Sequence, residues 1–171
     1  MNEYHVKVYD YGDEEWYADG VLHREEGPAI DYISGYKEWY KRGKRHREDG
    51  PAVVYANGDK FWYYNGKKHR ECGPAVVIND GYRAWYRNGK KHRDDGPAVE
   101  HPNEDKEWYK IGNLHREDGP AIEFRDGSKE WWLNNIQYTE REYNKKISDY
   151  KKYYTISELE TLLNQKIEII K

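Results

Sequence analysis

The 171-residue chain is 36% hydrophobic and 36% charged, and its apolar material is concentrated in aromatics, with 7 Trp, 18 Tyr and 2 Phe. Its 29 Lys and Arg against 32 Asp and Glu leave a formal net charge of -3 with the signs interleaved, which argues against a general polyanion binder such as a nucleic-acid module. The single cysteine, Cys72, excludes an intrachain disulfide framework and favours a reducing compartment.

Residues 1–20 carry no apolar signal-peptide core, and no run approaches the roughly 20 apolar residues that cross a bilayer, so a soluble cytoplasmic or host-cell intracellular protein is expected. Trp16, Trp39, Trp62, Trp85, Trp108 and Trp131 recur every 23 residues, and His23, His46, His69, His92 and His115 keep the same interval. One local unit repeated in tandem builds an elongated stack instead of a globule around a central pocket. Any group present in every copy is therefore first a candidate for making the copy fold.

The first copy, from His5 to Gly27, keeps Tyr9, Gly12, Trp16, Gly20 and His23 but lacks the Pro-Ala start. Four full copies follow from Pro28, Pro51, Pro74 and Pro97, and a last one from Pro120 holds the frame to Tyr138, where the histidine would fall. Each copy holds two β-prone runs, such as Val53 to Tyr55 and the run around Trp62 and Tyr63. Asn57-Gly58, Asp80-Gly81 or Asp126-Gly127 separates them, and Asn65-Gly66, Asn88-Gly89 or Arg42-Gly43 follows the second, all signals for tight turns. The expected fold is all-β: tandem 23-residue β-hairpin repeats over residues 1–138 continuing one antiparallel meander.

Alternation places Val53 and Tyr55 on one face, Ala52 and Val54 on the other, and sets Trp62 and Tyr63 apart. The position of Val54 varies as Asp31, Val77, Glu100 and Glu123, so its face is expected to be the wetter one, shared with the tyrosine row. A stacked row of indoles is expected to supply most of the cohesion.

The segments HREEGPA, HREDGPA, HRECGPA, HRDDGPA and HREDGPA begin at the five histidines. Histidine beside carboxylates also occurs in metal and acid-base sites. With two strands per copy, however, equivalent histidines lie about 10 Å apart, whereas zinc needs its ligands at about 2 Å from one centre. A scaffold role is expected instead: Arg47 pairing with Glu48 or its equivalents in adjacent copies, His46 and Asp49 satisfying backbone groups at the chain turn, Gly50 permitting close approach, and Pro51 opening the strand. No metal, cofactor or catalytic residue is assigned. Among nonrepeated residues, Cys72 reads as a lone substitution and His101 as a satisfied core-edge histidine.

The tail, residues 139–171, opens on Thr139 and Glu142 in capping-box spacing, with Tyr143, Ile147, Tyr150 and Tyr154 at helical intervals. A second helix is expected from Ser157. The tail is expected to cap the last hairpin over Trp131, Trp132 and Leu133, with docking on a partner or oligomerisation as the alternative.

The pattern W-x-x-G-K-x-H-x-x-G, then a small residue, a β run and x-G-x-x-x-x-W, resembles the membrane occupation and recognition nexus (MORN) repeat, in a variant with HREDGPA for the usual His-Gly-x-Gly. That resemblance, over residues 5–138, implies a twisted antiparallel sheet of hairpins with a shallow groove. It also implies a scaffold, a partner or anchor near membranes, or an accessory to enzymatic domains, and some bacterial relatives are labelled antitoxin components. Arg24, Arg47, Arg70, Arg93 and Arg116 stand where the usual repeat has glycine, so a flat glycine-lined groove is not expected.

The expected function is a noncatalytic protein-interaction scaffold whose partner is another protein, bound along Tyr40, Tyr63, Tyr86, Tyr109 and Trp132. The alternatives are contact of the basic turns, Lys41 to Arg45, Lys67-Lys68, Arg87 and Lys90-Lys91, with anionic lipid, and neutralisation of a toxin or defence protein.

Overall fold

The computed structural model describes residues 3–152. Within them the chain forms short strands in one long antiparallel sheet of hairpins, flanked by four two-stranded ribbons and followed by a helical stretch over residues 140–152. The sheet runs in chain order from the strand Tyr4–Val8 to the strand Ile136–Tyr138 without closing on itself. Sequential hairpins pair because each connection is short, so the order of the strands in space repeats their order in sequence.

Each copy is two hairpins rather than one. In the copy from Pro51, strands Val53–Val54 and Lys60–Phe61 form the first, and strands Tyr63–Tyr64 and Lys67–Lys68 the second, with Trp62 between them. The first turn is closed by Gly58 N–H on the Tyr55 carbonyl at 3.0 Å, with Gly58 at φ 94°. The second has two consecutive positive φ values, 49° at Asn65 and 78° at Gly66, the requirement of a two-residue hairpin turn.

One residue per strand lines the middle of the sheet. The register joins Glu15 to Ile30, then Glu38, Val53, Phe61, Val76, Ala84, Val99, Glu107, Ile122 and Glu130 in succession. Directly paired residues point to the same face. Val76, Ala84 and Val99 form the buried cluster, against which Phe61, Ile78, Tyr82, Tyr86 and Tyr109 pack. The alanines Ala29, Ala52, Ala75, Ala98 and Ala121 are 0% exposed. Four of their carbonyls, from Ala52 to Ala121, and that of Ala29 each accept the backbone N–H of the tryptophan 13 residues earlier at 2.7–2.8 Å. A larger side chain has no room there.

The tyrosine row lies on the drier face, which corrects the expectation that it shares the wetter one. Tyr63 alternates with Phe61 around Trp62, and Phe61 is cross-strand to Val53, so Tyr63 takes the valine side; the indole takes the side of Val54 and its polar equivalents.

The helical stretch opens with the expected capping box: Glu142 N–H donates to Thr139 Oγ1 at 3.3 Å, and Thr139 N–H to Glu142 Oε2 at 2.9 Å. Its anchor is Tyr143, 3% exposed, whose hydroxyl donates to the Arg116 carbonyl at 3.0 Å and accepts from Gly119 N–H at 3.2 Å. The tail thus grips the last HREDG loop. The second helix expected from Ser157 lies outside the described residues. No described helix is long and apolar enough to cross a membrane.

Candidate functional site

On the tryptophan face each indole carries an arginine over its ring. Arg24, Arg47, Arg70, Arg93 and Arg116 sit 4.0–4.1 Å above Trp16, Trp39, Trp62, Trp85 and Trp108. Each arginine also donates through Nη1 to the carbonyl of the proline four residues on, as from Arg70 to Pro74 at 3.1 Å. The ring-on-ring contacts among the described residues join tyrosine, phenylalanine and histidine, so the indoles cohere through cationic lids and not by stacking on one another. Trp131 stands where the period ends and has Thr139 in place of that arginine.

The HREDG loop is shaped around this lid. Gly50, Gly96 and Gly119 lie so close that an added Cβ would come within 3.0 Å of the guanidinium carbon of Arg47, Arg93 and Arg116. Arg47 Nε pairs with Asp49 at 2.8 Å, and the same pairing recurs in Arg93–Asp95 and Arg116–Asp118. These guanidinium groups hold Asp49, Asp95 and Asp118 below the usual carboxylate range, chiefly through their hydrogen bonds. The expected pairing of arginine with loop carboxylates of adjacent copies is corrected: the cross-copy partners are the strand residues Glu100, 3.1 Å from Arg93, and Glu123, 2.9 Å from Arg116. Asp49 is drawn first to arginine, since charge-assisted pairing is the stronger interaction, with its own backbone N–H as a lesser partner.

The five histidines reach forward. His23, His46, His69, His92 and His115 each accept at Nδ1 the backbone N–H of Arg42, Asn65, Asn88, Ile111 and Asn134, at 3.0–3.3 Å. Those donors all sit at φ 49–52°, at the tip of the next copy's second turn. An accepting Nδ1 fixes the proton of the neutral ring on Nε2. That nitrogen meets Glu48 at 3.2 Å from His46 and Glu117 at 2.9 Å from His115. His92 Nε2 lies 3.1 Å from Asp94, within ion-pair range but outside hydrogen-bond geometry. No group of three metal-ligating side chains occurs among the described residues.

The valine face is less repetitive. Tyr40, Tyr63 and Tyr86 are cross-strand to Arg45, Lys68 and Lys91, and Tyr109 to Leu114. Cations interleave with rings: Arg45 lies 6.0 Å from the Tyr40 centroid and 5.5 Å from Tyr63, Lys68 5.3 Å from Tyr86, and Lys91 4.5 Å from Tyr109. The last position of the row, Trp132, donates its indole N–H to Glu130 at 2.8 Å.

Carboxylates stand at intervals in the same face. Glu38, 2% exposed, receives a forked pair from Arg45 at 2.8 and 2.9 Å and the Tyr36 hydroxyl. Burial and this carboxylate push Tyr40 up to about 12. Glu107 accepts His101 Nε2 at 2.7 Å and has Lys91 at 3.7 Å. Burial acts to raise Glu107, but hydrogen bonds from His101 and Tyr109 with the Lys91 charge outweigh it and hold it low. Burial first, and then this carboxylate, raise Tyr109. At the N-terminal end Glu15 accepts from Tyr9, Tyr17 and Tyr32 at 2.7–2.9 Å, its bonds pushing Tyr17 and Tyr32 up to about 12. Sequence reading named the tyrosines but not these carboxylates, although each immediately precedes a tryptophan and so had to share the tyrosine side. His101 is hydrogen-bonded to Glu107 and lies edge-on to Tyr82 at 5.5 Å, and Cys72 is exposed.

The chain matches no protein-family model, and no curated protein matches it.

Proposed function

We propose that the chain is a noncatalytic protein-interaction module of MORN-like repeats whose partner is another protein seated along the valine face. The observation that carries this reading is the row Tyr40, Tyr63, Tyr86 and Tyr109, half-buried, rigidly backed by the ladder and interleaved with cations along one open face. Fixed aromatic area binds at low entropic cost, and aromatic-cation mixtures are what interface centres favour. Equivalent groups set about 10 Å apart on an open sheet suit a long contact better than a preorganised catalytic constellation. The test is recovery of partners from the native cell with the intact chain and with an alanine variant at the four tyrosines whose β signal and melting are retained. Equal recovery sinks the reading.

A second reading, contact with anionic lipid, is favoured by one observation. Lys44, Lys67 and Lys90 are exposed, make no ion pair among the described residues, and lay their stems against Gly66, Gly89 and Gly112 of the next turn, forming a row along one edge. Sedimentation with phosphatidylserine vesicles, lost in high salt and on replacing the three lysines by serine, would support it. Sedimentation indifferent to both excludes it.

A further inference from the structure

We propose that Lys68 anchors a binding site for a single acidic side chain, an Asp or Glu flanked by apolar residues, presented by a partner protein. The inference rests on the valine face being the interaction face and names the chemistry of what it takes.

Three cations, Arg45, Lys68 and Lys91, occupy equivalent places opposite the tyrosines. Two have an internal counterion. Arg45 is forked onto Glu38, and Lys91 lies 3.7 Å from Glu107. Lys68 has none among the described residues, because the ladder positions that hold Glu38 and Glu107 elsewhere hold Phe61 and Ala84 in the two central copies. Its ammonium stands 5.8 Å from the Phe61 ring and 5.3 Å from the Tyr86 ring. Burial, with Arg45 and Lys91 on either side, disfavours its charged form. A half-buried cation without a counterion is a cost that a complementary carboxylate would relieve.

The surroundings select the ligand. Phe61, Ile78, Tyr82 and Tyr86, partly buried over the Val76, Ala84 and Val99 cluster, make this stretch the apolar centre of the face, so the anion must arrive on an apolar segment. Arg45 and Lys91 on the flanks are already matched by Glu38 and Glu107 and leave only Lys68 without a counterion, so one carboxylate fits where a lipid surface or nucleic-acid backbone, with many anions, does not. The ammonium, set over the Phe61 and Tyr86 rings, is positioned to hold a compact anion in place.

The test titrates the full chain with three blocked pentapeptides, Ser-Leu-Glu-Leu-Ser and its Gln and Lys counterparts, by calorimetry. The Glu peptide is expected to bind about tenfold more tightly than the Gln peptide, and the Lys peptide more weakly than both. Lys68→Met should abolish the Glu-over-Gln preference, while Lys67→Met, on the opposite face, should keep it. Lys68→Met should also leave the melting midpoint unchanged or raised, since an uncompensated charge is removed; a lowered midpoint overturns the premise. No binding, equal Glu and Gln affinities, or a preference that survives Lys68→Met overturns the anchor. If Tyr63→Ala weakens all three peptides while Lys68→Met leaves the Glu preference intact, the acidic anchor fails and the face stands. If neither substitution alters binding, both readings fail.

Discussion

His46 Nδ1 accepts the amide proton of Asn65 at 3.1 Å, across 19 residues and from one copy into the next. Asn65 is held at φ 49°, where its N–H points away from the sheet ladder and would otherwise go unpaired. The histidine is thus a reversed cap, finishing a turn that belongs to its successor.

Removing that acceptor should be costly. His46→Ala leaves the Asn65 amide unsatisfied, at a cost of about 1–3 kcal/mol. Denaturant midpoints for His46→Ala and for Glu48→Ala, which loses only the outer contact of the ring, separate the two bonds. An effect of Glu48→Ala as large as that of His46→Ala would contradict the assignment.

The arginine lid predicts a reversal of sign. At Gly50, whose φ is not positive, alanine should destabilise the wild-type chain by about 1 kcal/mol by pushing Arg47 off Trp39. In an Arg47→Ala background the same change should be neutral or stabilise by about 0.4–1 kcal/mol, since only the entropy of the unfolded chain remains in play. Gly73 is the control: it sits at φ 110°, so alanine there should destabilise in both backgrounds.

Acid should act through the lowered carboxylates. Glu107 has its folded-state value below the unfolded one, so its stabilising share is full above about pH 4.3 and fades as pH falls through the lower folded value. Melting midpoints recorded down to about pH 3 should therefore drop less for Glu107→Gln than for the wild type. Asp49, Asp95 and Asp118 are lowered in the same sense and should leave a residual drop in the variant.

Tyr143→Phe removes one hydroxyl that makes two backbone bonds. It should cost about 1–2 kcal/mol and raise proteolysis within residues 140–152, with the repeats still folded. Unchanged proteolysis would mean that the helix is held elsewhere.

The hairpins and the capping box were legible in sequence because turn glycines, strand alternation and the Thr139–Glu142 spacing act within a few residues. The arginine lids were not, because an arginine following a histidine looks like a loop charge until the chain folds back eight residues onto its own indole. The side of the tyrosine row depended on pairing Phe61 with Val53, a register fact that composition does not carry. The carboxylates Glu38 and Glu107 were masked by their neighbours: adjacent to lysine in a chain with many acidic residues, they read as surface until the ladder buries Glu38 and half-buries Glu107.

The forward reach of the histidines gives the array a polarity. Each copy is completed from its N-terminal side, and the final debt is met by Asn134, whose turn closes the series after the last histidine. Whole 23-residue units can therefore be added or removed between Pro28 and Gly119 without leaving a ring nitrogen or a turn amide unmatched. A cut at any other interval orphans one of each. Such a chain behaves as a ruler graduated in copies, and the length of its binding face is a quantity that can be set in discrete steps.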